Sequence, residues 1–114
     1  MTECFRSVNT SRKIYERIKN DINPWQEELW LFAFNSELQL IKKEMIFRGT
    51  ADICLVHPRD VFRHLIMANA SFFALIHNHP SGNCKPSRAD QKITHRFTDL
   101  GKMMEIFLID HLVV

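Results

Sequence analysis

Apolar residues recur along this chain with two different periods, and the switches between them mark its elements. Ile14, Tyr15 and Ile18 form an i, i+1, i+4 stripe. That is the pattern of a surface helix, expected here from a cap at Thr10 or Ser11 to about Asn20. Asp21 to Pro24 ends it. Glu28 to Phe34 (E-L-W-L-F-A-F) is aromatic-rich and short, and Asn35-Ser36 supply turn residues before Leu38 to Phe47. Two strands joined as a hairpin are expected. Gly49 breaks the second strand, and Ile53 to Val56 suggests a further short one before His57-Pro58.

Pro58 suits the first turn of a helix, and Val61, Phe62, Leu65, Ile66 and Ala68 or Asn69 give Arg59 to Asn69 one apolar face to pack on the sheet. Ser71 to Ile76 (S-F-F-A-L-I) is a continuous apolar run of strand length, the mark of a strand covered on both faces. Pro80, Gly82 and Pro86 keep the next stretch irregular. Ser87-Arg88-Ala89-Asp90 then has the form of a capping box with Asp in the acidic slot. A helix from Arg88 to about Leu100 follows, with Gly101 as its stop. Met104 to Asp110 and His111 to Val114 read as a last strand or pair. This order predicts an α/β fold: a single-domain mixed sheet flanked by helices over residues 1–114, with the N-terminal helix at about 10–20 and the core at about 28–114.

Composition adds exclusions. With 114 residues, 46% hydrophobic and 25% charged, the chain can bury one core and is ordinary for a globular domain. A net charge of +2 is too small to call for a nucleic-acid partner, and Arg12, Lys13, Arg17, Lys19, Lys42, Lys43 and Arg48 are scattered rather than clustered. Cys4, Cys54 and Cys84 are odd in number and lack CxxC spacing. With no secretory signal in these residues, a reducing, cytoplasmic setting without a disulfide framework is expected. No apolar run approaches the ~18 residues of a membrane span, so no membrane association is expected.

The candidate chemistry lies between Ile76 and Asp90. His77 and His79 share a face if the strand reaches that far, and Asp90 follows His79 by eleven residues at a helix start. Two imidazoles and a carboxylate make three metal ligands, with a fourth position left for water, as in zinc hydrolases. Each residue also has an ordinary reading: a lone histidine is usually packed or solvated, and Asp90 has a complete structural role in the capping box. Spacing alone leaves metal and no metal evenly matched.

The segment H-N-H-P-S-G-N-C-K-P-S-R-A-D resembles the JAMM metalloprotease motif: His-x-His, seven residues, Ser, two residues, Asp. His77, His79, Ser87 and Asp90 meet every interval. With F-R-G-T upstream and L-I-D-H-L-V-V downstream, residues 30–114 are similar to the RadC-like branch of the JAB/MPN superfamily. The resemblance implies a cytidine-deaminase-like α/β sandwich, with zinc held by His77, His79 and Asp90 and an oxyanion supported by Ser87. It also implies a glutamate on an upstream strand that holds the catalytic water, and the match is Glu44 in I-K-K-E-M-I-F-R-G-T. Glu37, in the expected turn, and Glu28, opening a strand, compete with it. The implied activity is zinc-dependent amide hydrolysis, as a metallopeptidase or isopeptidase acting on a peptide or protein. Read without the resemblance, Glu44 after Lys42-Lys43 is a solvated charge and Ser87 is a helix cap.

Rival readings are narrower. Cys84 as a fourth ligand would close the site and make it structural. The letters H-N-H do not make an HNH nuclease, whose residues are far apart in sequence, and zinc deaminases need H-x-E with P-C-x-x-C, absent here. Ser81 fits a turn. His57, His64 and His95 fit surface or supporting positions, and adjacent Asp110 and His111 should face opposite ways on a strand, so none is assigned a role. The alternative function is a non-catalytic MPN-like binding module associated with DNA repair or mobile elements. Full-length RadC-like proteins carry an N-terminal helix-hairpin-helix region that these residues do not match, so a nucleic-acid role has little physical support. One more strand segment would be expected beyond Val114, after D-H-L-V-V, and an open sheet edge there would invite homodimerisation.

Overall fold

Aromatic and β-branched runs form strands here because each side chain finds a covered face, and the long polar-apolar alternations form helices that supply the cover. The computed structural model describes residues 8–49, 56–83 and 85–114. Its elements are α1 (Val8–Ile18), β1 (Glu28–Phe34), β2 (Leu40–Arg48), α2 (Pro58–Met67), β3 (Phe72–His77), α3 (Arg88–Met104) and β4 (Phe107–Val113). The four strands make one sheet in the order β2-β1-β3-β4, with β1 antiparallel to both neighbours and β3 parallel to β4. The expected mixed sheet flanked by helices is present.

The sheet is covered on both faces. Leu29, Leu31 and Ala33 of β1 and Phe73 and Leu75 of β3 pack with Val61, Phe62 and Leu65 of α2 and Ile93 and Phe97 of α3. Phe62, Phe73 and Phe97 form a ring cluster with centroids 5.7 to 6.5 Å apart. On the other face Phe32, Phe34, Ala74, Ile76 and Leu112 pack with Ile14, Tyr15 and Ile18 of α1. Double burial explains why β3 reads as an unbroken apolar run.

Several boundaries differ from the expectations. The helix α1 already includes Val8, so Thr10 and Ser11 lie inside it. The hairpin turn takes up Leu38 in a left-handed conformation (φ 61°) and delays β2 to Leu40. The Asn35 side-chain oxygen accepts from the amides of Glu37 and Gln39 there, both at 2.9 Å. Ile66 is exposed at the end of α2. The expected strand at residues 53–55, and all three cysteines, lie outside the described residues.

Gly101 does not stop α3. The helix continues to Met104 and ends at Glu105, whose φ of 57° makes the left-handed cap. Gly101 is instead a close-approach residue: a Cβ there would lie 2.4 Å from the Ile106 carbonyl oxygen as the chain turns back under the helix. β4 is one strand, and a register shift between Phe73 and Ala74 pairs Phe73 with Leu108 but Ala74 with Asp110.

Candidate metal centre

Sheet geometry decides which side chains meet at the end of β3. His77 pairs with Leu29, a residue of the α2/α3 core, so His77 faces that side. The capping box at the start of α3 is also there. Ser87 Oγ accepts from the Asp90 amide at 3.1 Å, while Asp90 Oδ2 accepts from the Ser87 amide and hydroxyl, each at 2.8 Å. The helix start thereby aims the Asp90 carboxylate back at the strand end.

Asp90 Oδ1 is 2.9 Å from His77 Nδ1, and Oδ2 is 3.0 Å from His79 Nε2. The side chains of His77 and Asp90 are buried, and that of His79 is nearly so. His79 is oriented from its other nitrogen, Nδ1, which lies 2.7 Å from the Asn83 carbonyl oxygen. Burial alone would raise the Asp90 pKa. Hydrogen bonds from His77 and from the Ser87 amide and hydroxyl outweigh it and hold the carboxyl well below the usual carboxylate range.

His77, His79 and Asp90 each offer a ligand atom within 4.8 Å of the others, so together they can hold a metal ion. The fit to a cation has a further mark. His77 Nε2 is buried without a hydrogen-bond partner, an arrangement that costs free energy unless another species completes it. Two nitrogens and one carboxylate oxygen form a donor set that suits zinc.

The remaining candidates separate clearly. Ser87 is beside the cluster, with its hydroxyl engaged in the capping box as the sequence suggests. Glu44 is not brought to it. Leu31 pairs with both Glu44 and Leu75, so Glu44 is two strands over from β3 and two residues short of His77, roughly 12 Å away at ~4.8 Å per strand and ~3.4 Å per residue. Glu44 lies instead beside Lys42, at 3.9 Å. Glu37 is in the hairpin turn. Glu28 is buried and consumed by structure, accepting from Arg48 Nε at 2.7 Å, Asn23 N at 3.0 Å and Trp30 Nε1 at 3.1 Å.

The glutamate at the cluster is Glu27, which sequence reasoning missed. Its Oε2 is 3.8 Å from His77 Nε2, and its side chain is partly exposed. Glu27 has the parity of Leu29 and Leu31 and so the face of His77, whereas Glu28 has the opposite parity. The available signal was antiparallel pairing of β1 with β3, which sets the start of one strand against the end of the other. His111 was also missed as support: its Nδ1 is 2.7 Å from Thr94 Oγ1, which donates to the Asp90 carbonyl at 2.9 Å.

A sequence model of the RadC-like JAB domain matches residues 8–114. The chain belongs to the RadC-like JAB domain family. Its mixed four-stranded sheet and three helices are the JAB/MPN fold that the motif resemblance implied. Relatives of this RadC-like domain carry the name UPF0758 protein. That of Thermotoga maritima is 36% identical over 107 residues, covering 94% of this chain and 48% of the relative. That of Haemophilus influenzae is 40% identical over 108 residues (94% and 49%), and that of Clostridium perfringens is 44% identical over 89 residues (78% and 39%). The RadC-like domain thus spans about half the length of the relatives it matches. Among the described residues no helix is long and apolar enough to cross a membrane.

Proposed function

We propose that this RadC-like domain is a zinc-dependent hydrolase of the JAMM type, cleaving a peptide or isopeptide bond in a peptide or protein substrate. One observation carries the reading: the orphaned, buried Nε2 of His77 faces the Glu27 carboxylate across 3.8 Å, with His79 and Asp90 beside it. Zinc, when bound, supplies a Lewis acid that brings the pKa of water to about 7.

The residues of the chain supply the rest. His77 and His79 would supply ring nitrogens, oriented by burial and by the Asn83 carbonyl, and Asp90 would contribute the negative charge. Glu27, partly open to solvent, takes a proton from the attacking water and returns it to the leaving amine. That role moves from Glu44, the expectation from sequence, to Glu27. Ser87 holds Asp90 and caps α3, and its hydroxyl is close enough to the cluster to donate to a developing oxyanion only by releasing Asp90 Oδ2.

Metal-free protein titrated with zinc should bind one ion, and His77→Ala should abolish binding. Glu27→Gln should retain the ion and lose cleavage of peptide and isopeptide substrates. No zinc uptake by the wild-type chain would overturn the reading, and full turnover by Glu27→Gln would remove the base.

A further inference from the structure

Between the two histidines stands Asn78, whose side chain is buried and points away from the metal cluster. Among the described residues its side-chain hydrogen bonds go to one distant segment, residues 23–28. Its Oδ1 accepts from the Glu28 amide at 2.7 Å, and its Nδ2 donates to the carbonyls of Gln26 at 2.8 Å and Asn23 at 3.1 Å. The backbone amide of Asn78 adds a longer bond to the Glu28 carbonyl, at 3.4 Å. Glu27 is the residue in between. Its preceding carbonyl and its following amide are both held by Asn78, and its own carbonyl accepts from the Gly49 amide at 2.9 Å.

We propose that Asn78 is a positioning residue that fixes the Asn23–Glu28 segment so that the Glu27 carboxylate faces His77. The motif would then carry its ligands on one side of the strand end and the holder of its base on the other. A primary amide is suited to this because it accepts on one side and donates twice on the other at a single length. A carboxylate there would set oxygen against two carbonyl oxygens, and an alanine would release all three partners. The chemical consequence rests on the hydrolase reading of the site; the positioning itself does not.

The test uses NMR on metal-free protein, with cross-peaks between the Glu27 side chain and the His77 ring as the readout. Wild type should show them. Asn78→Ala should lose them, and its Glu28 amide should exchange about tenfold faster or more. Asn78→Asp keeps the acceptor and the volume, so Glu28 should stay protected while the cross-peaks disappear. This variant carries the test alone if Asn78→Ala does not fold. Cross-peaks that persist in Asn78→Asp would overturn the proposal.

Zinc titration supplies the second arm. Affinity in Asn78→Asp should fall less than the ~10-fold typical of a residue that orients a metal ligand. A larger fall would mean that Asn78 supports the ligands rather than Glu27, and would also overturn it. If wild type takes up no zinc, the hydrolase reading fails, while the cross-peaks still decide the role of Asn78.

Discussion

Replacing Asp90 with Asn separates the two duties of this side chain. The carboxylate accepts four hydrogen bonds: His77 Nδ1 on Oδ1, and His79 Nε2, the Ser87 amide and the Ser87 hydroxyl on Oδ2. An amide has one oxygen, which should take the Oδ2 position because three of the four donors meet there. Those three bonds fall from charge-assisted to neutral, about 1 kcal/mol each, and removing a buried charge restores part of the loss. Asp90→Asn should therefore destabilise the metal-free protein by about 2 kcal/mol, or about 8 °C in midpoint for a domain of this size. The pH dependence follows in sign. A carboxyl whose pKa is lowered on folding contributes stability that is complete above its unfolded value, near 4, and is lost as pH falls through the folded value. The gap between wild type and variant should thus be widest near neutrality and narrow below about pH 4. Urea unfolding in the presence of a chelator, at a series of pH values, measures it. Zinc at a hundredfold excess over its dissociation constant should stabilise wild type by about 2.7 kcal/mol and the variant hardly at all. An equal zinc gain in both proteins, or a gap that does not narrow in acid, would refute this account of Asp90.

Other substitutions address the remaining assignments. Glu27→Gln and Glu44→Gln should divide cleanly in a peptide-cleavage assay on the zinc-loaded protein, the first inactive with its metal retained and the second close to wild type. Gly101→Ala should destabilise by about 1–3 kcal/mol in urea titrations despite the helix propensity of alanine, because the new Cβ meets a backbone carbonyl that cannot move alone. Phe97→Ala, which empties the ring cluster between α2, α3 and β3, should cost about 3–5 kcal/mol by the same measurement.

Local signals in the sequence were sufficient for much of this. β1 runs from Glu28 to Phe34 as its aromatic run indicates, and the capping box at Ser87 forms with both reciprocal bonds. Local spacing brought His77, His79 and Asp90 forward as a group, but it left metal and no metal evenly matched until the motif resemblance was added, and β3 itself ends at His77, short of His79. Glu27 was not legible, since its nearness to His77 depends on β1 pairing antiparallel with β3, fifty residues on, and no local pattern states which strands pair. The motif resemblance directed attention to Glu44, which the register places on β2, two strands from β3. Gly101 misled for a related reason. Glycine after an amphipathic run usually marks a helix end, but here the demand came from the returning chain at Ile106.

The division between local and distant residues at the centre has a consequence for how it can be parted. His77, His79 and Asp90 lie within fourteen consecutive positions and need only the end of β3 and the first turn of α3. Glu27 reaches them only where the start of β1 pairs with the end of β3, Leu29 opposite His77. On the proposed hydrolase reading, local separation of the start of β1 from the end of β3 would therefore part Glu27 from the cluster while leaving its three ligands on their own short stretch of chain.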